Sequence, residues 1–186
     1  MKVLLTGATG FIGSAVLKRA VSRNHEVAVL VRPGKTSPTA LQLMGTLENA
    51  PWNEIAAFRP EVCIHTAWNA TPGVYLDSPE NERLVEWSER FIRKAVAGGV
   101  RRVVALGTCI EYKMTGEILS EETTPLAPTT KYARCKDSLR CKLDQAARED
   151  GFSFSWARVF YPYGPGEHPA RLASSAIDQI RRGKIF

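Results

Sequence analysis

The sequence has no long apolar run, no CxxC pair and no cluster of histidines with cysteines. A membrane-spanning helix needs about 20 consecutive apolar residues, so we expect no membrane partner. No charged leader or cleavage site precedes the first apolar run, which predicts a cytoplasmic protein. No histidine stands at zinc-ligand spacing from a cysteine, so we expect reduced thiols and no metal site. The 4 cysteines are Cys63, Cys109, Cys135 and Cys141.

The chain also lacks runs of basic residues, although its net charge is +6. The 25 Lys and Arg are scattered among 19 Asp and Glu, and no aromatic-basic stripe or nucleic-acid motif accompanies them. We therefore expect a surface that favours anionic small molecules, and no nucleic-acid partner. The length of 186 residues, of which 44% are apolar, predicts one hydrophobic core.

Strand-like runs alternate with helical patterns along the chain. The runs lie at 2–7, 26–32, 61–67, 101–108 and 153–160. The helical patterns lie at Phe11–Arg23, Pro38–Met44, Pro79–Ala97 and Lys131–Asp150. The runs are nearly continuous in Val, Leu, Ile and Ala, as in parallel strands that helices cover on both faces. This order predicts an α/β fold with a doubly wound parallel sheet.

Capping residues stand at the ends of these helical patterns. Asn24 follows the first helix, where a left-handed residue ends a helix well, and Gly98 and Gly99 follow the third. Thr130 precedes the fourth helix as a candidate N-cap.

Three glycines in the segment GATGFIG connect the first strand to the first helix. Gly7 permits a tight turn, Gly10 lets a pyrophosphate approach the backbone, and Gly13 lets the helix pack closely on the strand. The helix N-terminus then favours the phosphate charge. A glycine corner without a ligand is the alternative interpretation. The cofactor contacts predicted here are Gly7, Thr9, Gly10, Phe11, Ile12 and Gly13.

Arg32 ends the second strand, at the position where a dinucleotide-binding fold contacts the adenosine ribose. A carboxylate there would hold the free 2′-hydroxyl of NAD, whereas a guanidinium suits a 2′-phosphate. NADP is therefore the predicted cofactor, with NAD possible. In the alternative interpretation, Arg32 merely ends an exposed strand.

Tyr132 and Lys136 stand four residues apart on a predicted helix and so share one face. A nearby ammonium lowers the pKa of a phenol, which would let Tyr132 exchange a proton with a substrate oxygen. Thr108 ends the preceding strand, where its hydroxyl could bind the same oxygen. The alternatives are a chance YxxxK pattern and a threonine that satisfies turn backbone.

With these motifs in chain order, the sequence resembles the extended short-chain dehydrogenase/reductase superfamily, in particular the NAD-dependent epimerase/dehydratase family that acts on nucleotide sugars. The resemblance implies a Rossmann fold, a nucleotide-sugar substrate and a catalytic triad of Thr108, Tyr132 and Lys136. It further implies that Lys136 holds the nicotinamide ribose, so that Tyr132 and Lys136 both contact the cofactor. Phe160, Tyr161 and Pro162, in the segment RVFYPYGPG, are expected beside the nicotinamide.

The sequence departs from the family pattern in two cofactor segments. Thr46 and Leu47 stand where the family often has an Asp-Leu pair, so no adenine ligand is assigned. The segment HTAWNA replaces a pair of small residues, and Thr66, Ala67 and Trp68 are therefore expected to line the cofactor pocket with unusual bulk. Trp68 could equally belong to the hydrophobic core.

A third departure concerns the reaction. Sugar dehydratases of this family carry Asp-Glu after the catalytic threonine, whereas Cys109 and Ile110 stand here. Dehydration is therefore not expected, which leaves reduction of a 4-keto sugar or 4-epimerisation. Glu111 follows, and we expect a solvated loop carboxylate there.

The chain also stops earlier than the family pattern does. Residues 1–160 correspond to the dinucleotide-binding domain, and 161–186, with a helix predicted at Pro169–Arg182, to the start of an incomplete substrate-binding lobe. A non-catalytic NAD(P)-binding regulator or scaffold is therefore the alternative function. By analogy with the family, the helices at Pro79–Ala97 and Lys131–Asp150 are expected to form a four-helix homodimer interface.

Overall fold

A six-stranded parallel sheet organises the chain in a computed structural model that describes residues 1–37 and 39–183. The strands are β1 (Lys2–Thr6), β2 (Glu26–Val31), β3 (Leu41–Met44), β4 (Val62–His65), β5 (Arg102–Thr108) and β6 (Ser153–Val159). The helices are α1 (Phe11–Ser22), α2 (Trp52–Phe58), α3 (Glu80–Ala97), α4 (Lys131–Asp150) and α5 (Leu172–Arg181). A 3₁₀ turn spans Cys109–Glu111.

The strand order is β3-β2-β1-β4-β5-β6, and the neighbouring strands pair in parallel. The chain thus builds outward from β1 to β3, then returns to the other side of β1 and builds outward to β6. This order confirms the predicted doubly wound α/β sheet. Ligands of such sheets bind beyond the carboxyl ends of the strands, where the order reverses between β1 and β4.

Both faces of the sheet are buried, which explains the continuous apolar strands. Leu4 of β1 belongs to a core cluster that includes Phe91 of α3 and Leu139 of α4. Leu5, the next residue, belongs to the opposite cluster with Leu17 of α1. Successive side chains of a strand point to opposite faces, so the central residues of β1, Val3, Leu4 and Leu5, are all apolar.

The predicted helix at Pro38–Met44 is wrong. Leu41–Met44 forms the edge strand β3, which pairs with β2 from Ala28↔Leu41 to Val31↔Met44. Leu43 is buried while Leu41 and Met44 are exposed, so this strand is a short edge strand with little of the burial seen in the central strands. Pro38 lies outside the described residues.

Helix α2, at Trp52–Phe58, has no counterpart in the sequence prediction. Seven residues give barely two turns, too few for a helical period to emerge from the sequence. Its only buried side chain among the described residues is that of Ile55, which joins the core cluster of Leu4.

The predicted helix boundaries hold elsewhere. Asn24 is left-handed with φ 57° directly after α1, and Gly99 has φ 112° after α3. The Thr130 hydroxyl accepts a hydrogen bond from the Ala133 N–H at 3.1 Å and so caps α4. Helix α5 lies within the predicted range, and none of its described side chains is buried. Among the described helices, none combines the length and apolarity required to cross a membrane.

Candidate active site

The glycine segment forms a close corner between β1, α1 and the end of β4. Gly7 is left-handed with φ 75°, and a Cβ there would stand 2.6 Å from Thr66 Oγ1. A Cβ at Gly13 would collide with the Gly7 carbonyl oxygen. Both positions therefore exclude a side chain. Gly10 meets only the Gly7 carbonyl oxygen, at 3.3 Å, and begins α1 without a side-chain cap.

A buried histidine next to this corner forms hydrogen bonds with two neighbouring elements. His65 Nδ1 lies 2.9 Å from Thr6 Oγ1, and its Nε2 lies 3.0 Å from Ser88 Oγ of α3. Burial and the positive charge of Lys136 lower the pKa of His65 to about 3. The histidine is therefore neutral near pH 7 and ties β1, β4 and α3 together. Thr66 continues the network by donating from Oγ1 to the Thr6 carbonyl oxygen at 2.8 Å.

A cavity of about 580 Å³ opens above the corner, at the carboxyl ends of β1, β2 and β4. Of the predicted cofactor residues, its lining includes Gly7, Thr9, Gly10, Arg32, Thr66, Ala67 and Trp68. The other predicted cofactor residues are outside the lining: Phe11, Ile12, Gly13, Tyr132, Lys136, Phe160, Tyr161 and Pro162. The structure therefore brings together residues from three separate motifs at one cavity.

Lys35 also lines the cavity, close to Arg32 in the loop after β2. Its N–H donates to the Arg32 carbonyl oxygen at 3.0 Å, so a tight turn carries both cations to one end of the cavity. Lys35 was not predicted from sequence, although its place three residues after Arg32 in the segment RPGK signals such a turn. Thr46 and Leu47 also border the cavity.

Tyr132 lies in the first turn of α4 beneath two aromatic rings. The ring of Tyr75 meets it edge-on with centroids 4.8 Å apart, and that of Trp68 does so at 6.2 Å. Burial, followed by Tyr75 and Glu111, raises the pKa of Tyr132 above its ordinary value, while the Thr108 side chain opposes the rise. The expectation that Lys136 lowers this pKa is wrong for the chain alone, because burial of the phenol dominates.

Lys136 is buried on the same helix face, and its ammonium meets indoles. Its Nζ lies 4.0 Å from the ring centroid of Trp68 and 5.4 Å from that of Trp156. Burial lowers the pKa of Lys136 to about 7, and the nearby Glu111 works in the opposite direction. The side chain therefore changes its charge close to neutral pH.

Trp68 is both a wall of the cavity and part of the core. It packs against the core cluster of Phe91 and Leu139 and also lines the cavity. Its Nε1 donates to Asn81 Oδ1 at 2.8 Å, which fixes the plane of the ring. The packing of Trp68 on the core agrees with one interpretation from sequence, and its contact with a cofactor stays a prediction.

Thr108 ends β5 and begins the 3₁₀ turn. It forms a capping box with Glu111, and its N–H donates to Glu111 Oε1 at 2.8 Å. Its side chain also acts on the pKa of Tyr132. Thr108 therefore stabilises the turn and lies beside the phenol at the same time.

The expectation of a solvated Glu111 is wrong, because its side chain is fully buried. Its Oε2 accepts from Arg158 Nε at 2.7 Å and from Trp156 Nε1 at 3.0 Å. The register Gly107↔Arg158 explains the arrangement, since a Cβ at Gly107 would stand 2.7 Å from Glu111 Oε1. Alternation along the SWAR segment of β6, with Trp156 and Arg158 on one face, was the available signal.

The segment after β6 leaves the sheet with its aromatic side chains exposed. Phe160 is 51% exposed and Tyr161 is 70% exposed, while Pro162 is half-buried. Tyr161 has φ 37°, and contact with Cys109 raises the pKa of its phenol. These residues lie at the carboxyl end of β6, and their contact with a nicotinamide stays a prediction.

Comparison with known proteins identifies the family. The model of the NAD dependent epimerase/dehydratase family matches residues 3–186. The chain belongs to this family. The Rossmann-type sheet and the glycine corner on β1 are the structural features that agree with this assignment.

Curated relatives include reductases and dehydrogenases. The chain is 29% identical over 196 residues to a 3-diazoavenalumate denitrifying reductase from Streptomyces sp, covering 100% of this chain and 64% of the relative. It is 31% identical over 188 residues to dTDP-6-deoxy-L-talose 4-dehydrogenase (NAD(P)(+)) from Kitasatospora kifunensis, covering 97% and 59%. The chain therefore spans about three-fifths of the length of these relatives.

Solved structures give the same fold. UDP-glucose 4-epimerase from Thermus thermophilus, solved in complex with NAD, superposes with a TM-score of 0.83 at 25% identity. The match covers 100% of this chain and 64% of that chain. Relatives of this chain thus include nucleotide-sugar epimerases as well as dehydrogenases.

Proposed function

We propose that the protein is an NADP-preferring oxidoreductase of nucleotide sugars, which reduces a 4-keto sugar or epimerises carbon 4 through Thr108, Tyr132 and Lys136. The observation that carries the proposal is the position of Trp68, which lines the cavity and contacts both Tyr132 and Lys136. The cofactor cavity and the acid-base groups therefore share a wall. Residues 1–160 would form the dinucleotide-binding domain, and 161–186 the start of a substrate lobe.

The residues at the cavity fit a dinucleotide. Gly7 and Gly10 line the cavity, and Gly10 presents the first turn of α1 without a side chain, with only the Gly7 carbonyl oxygen near the place of its absent Cβ. Arg32 and Lys35 supply two cations to the lining of the cavity. These cations would favour the 2′-phosphate of NADP over the free 2′-hydroxyl of NAD. When bound, the dinucleotide supplies or accepts the hydride.

The pKa of Tyr132 determines which proton transfer its phenol can perform. The high pKa of Tyr132 keeps its phenol protonated at neutral pH, so it can donate a proton to the carbonyl oxygen that becomes a hydroxyl. The Thr108 hydroxyl would bind the same oxygen, and Lys136 would hold the nicotinamide ribose. A protonated phenol favours reduction, since oxidation must begin with Tyr132 accepting a proton.

A non-catalytic NAD(P)-binding regulator is the second candidate. It is favoured by the cover that Tyr75 and Trp68 place over Tyr132, which restricts access to the phenol. The indole faces also hold the Lys136 ammonium away from solvent. Binding of cofactor without turnover of any nucleotide sugar would distinguish this candidate from the enzyme.

We also infer a homodimer in which α3 and α4 form a four-helix interface. The two helices already pack side by side, joined by the ion pairs Arg93–Glu149 and Lys142–Glu89 at 2.8 Å each. The inference rests on analogy with the family. Light scattering after gel filtration tests it, with twice the chain mass expected and the chain mass alone contradicting it.

The proposed function is tested by Tyr132→Phe, which removes the phenolic proton and keeps the ring. Two activities would be measured: NADPH-dependent reduction of the 4-keto sugar that corresponds to dTDP-6-deoxy-L-talose, and 4-epimerisation of UDP-glucose. We expect turnover to fall by about 10²–10⁴-fold, with little change in the Kd for NADPH. Tyr163→Phe, at a tyrosine that is 78% exposed, is the matched control. Unchanged turnover in Tyr132→Phe would contradict the mechanism.

A further inference from the structure

We propose that Glu111 is a positioning residue of the candidate active site, which fixes the Thr108 backbone and the Trp156 indole and thereby sets the surroundings of the Lys136 ammonium. The inference rests on the proposed function, since it takes Thr108 and Lys136 as the groups that act on substrate and cofactor. Its physical content, however, is measurable in the protein without any ligand.

The Glu111 carboxylate has donors on both of its oxygens. Oε1 accepts from the Thr108 N–H at 2.8 Å, and Oε2 accepts from Trp156 Nε1 at 3.0 Å and from Arg158 Nε at 2.7 Å. A buried carboxylate costs free energy unless it is hydrogen-bonded and paired. The Arg158 guanidinium, itself 12% exposed, supplies that pair. The carboxylate thus ties the end of β5 to β6.

Trp156 carries the connection from Glu111 to Lys136. Its indole N–H is held by the carboxylate, while its ring lies 5.4 Å from Lys136 Nζ. Trp68 covers the ammonium on another side at 4.0 Å, and Asn81 holds that ring. Movement of the Glu111 side chain would therefore shift one of the two indoles that contact the ammonium.

The charge of Glu111 acts on the same ammonium. Burial disfavours the charged lysine, and the carboxylate offsets part of that cost. Other titratable or charged groups on the elements packed around Lys136 include His65 of β4, Tyr132 of α4 and Arg158 of β6. His65 and Tyr132 are uncharged near pH 7 because burial lowers the pKa of one and raises that of the other. Glu111 therefore opposes both the desolvation of the lysine and the positive charge of Arg158.

The test follows the titration of Lys136 in the ligand-free protein, through the ¹³Cε resonance of the lysine. We expect Glu111→Gln to lower the midpoint by about half a pH unit or more, because a negative charge is lost while Arg158 stays. The indole N–H resonance of Trp156 should move in the same variant. Glu89→Gln, which alters a carboxylate paired with Arg93 and Lys142 on the helix surface, should leave both unchanged.

Arg158→Lys is the conservative variant. It keeps a cation beside the carboxylate, so the Lys136 midpoint should stay close to that of the wild type. If Glu111→Gln fails to fold, the test is made on the wild type alone. The chemical shift of the Trp156 indole N–H should then change with pH at the same midpoint as that of Lys136. The proposal would be overturned if the Trp156 chemical shift did not change at the pH where Lys136 titrates. It would also be overturned by an unchanged Lys136 midpoint in folded Glu111→Gln.

Binding of NADPH, followed by its fluorescence, separates this inference from the proposed function. Near pH 7, Glu111→Gln should weaken binding because its lysine is more often neutral, and the difference should vanish below both midpoints. If the wild type binds no NADPH but Glu111→Gln still shifts the Lys136 midpoint, the proposed function is contradicted and the effect of Glu111 on Lys136 stands. Equal NADPH affinity of both proteins across that pH range would overturn the positioning role.

Discussion

Lys136 and Tyr132 share a helix face, yet each has its protonation set chiefly by burial. The phenol keeps its proton because Tyr75 and Trp68 cover it, and the ammonium titrates near neutral pH because indoles replace water. The pair therefore differs from the simple picture in which a lysine lowers the pKa of its neighbouring tyrosine. A phenol that keeps its proton can act as the proton donor in the reduction step of either proposed reaction.

His65 should make the protein sensitive to acid. Its folded pKa is about 3 and its ordinary value 6.5, so between these values the unfolded chain binds a proton that the folded chain does not. The free energy of unfolding should therefore fall with falling pH, and this histidine contributes up to about 1.4 kcal/mol per pH unit. Urea unfolding from pH 7 to pH 4 measures the slope.

His65→Gln should lower the stability at pH 7 and flatten the acid slope. The glutamine can contact Thr6 or Ser88 but takes up no proton in this range. His168→Gln, in an exposed loop, is the control and should keep the wild-type slope. A slope that is the same in His65→Gln and the wild type would show that another group unfolds the protein in acid.

At the scale of elements, two glycines in the corner of β1, α1 and β4 have different roles: one allows close packing, and the other leaves room for a ligand. Gly13 is required by packing, because a Cβ would meet both the Gly7 carbonyl oxygen and Thr66 Oγ1. Gly10 faces open space except for one contact at 3.3 Å. The two glycines therefore predict different phenotypes for the same substitution.

Gly13→Ala should destabilise the fold by about 1–3 kcal/mol or more, because α1 must move away from the sheet. Gly10→Ala should cost less than about 1 kcal/mol but weaken NADPH binding by about tenfold or more, since its methyl group stands where the pyrophosphate approaches. Chemical unfolding and NADPH titration measure the two effects. A Gly10→Ala variant that binds NADPH like the wild type would favour a glycine corner without a ligand.

The elements that were predictable from sequence are those with strong local signals. The buried strands are continuously apolar, and Asn24, Gly99 and Thr130 mark helix boundaries that the structure confirms. The strand at Leu41–Met44 was mistaken for a helix because it has only four residues and, at the edge of the sheet, two of them are exposed. Helix α2 was missed because two turns are too short to display a period.

Site residues were predictable from sequence only where they belong to one local motif. The glycine segment and the YxxxK pattern are local, whereas the burial of Glu111 depends on Trp156 and Arg158 of a strand more than forty residues away. The cover over Tyr132 likewise depends on Tyr75, which no motif marks. Contacts between distant segments decide the burial of Glu111 and the pKa of Tyr132, and periodicity carries no information about such contacts.

At the scale of the whole molecule, the two ends of the sheet differ in exposure. The cavity at β1, β2 and β4 is lined by described residues, whereas Leu172 and Ile180 of α5, which follows β6 in the chain, are exposed. The chain spans about three-fifths of the length of its relatives. The cofactor half of the site is thus the part that this chain allows to be tested first.

The most direct test of the account is therefore a fluorescence titration of the wild type and Arg32→Ala with NADPH and NADH. We predict that the wild type binds NADPH about tenfold more tightly than NADH, because a guanidinium–phosphate contact contributes about 1.5–3 kcal/mol before other losses. Arg32→Ala should lose this preference while keeping its affinity for NADH. Tighter binding of NADH by the wild type would contradict the assignment of Arg32, and binding of neither dinucleotide would contradict the account as a whole.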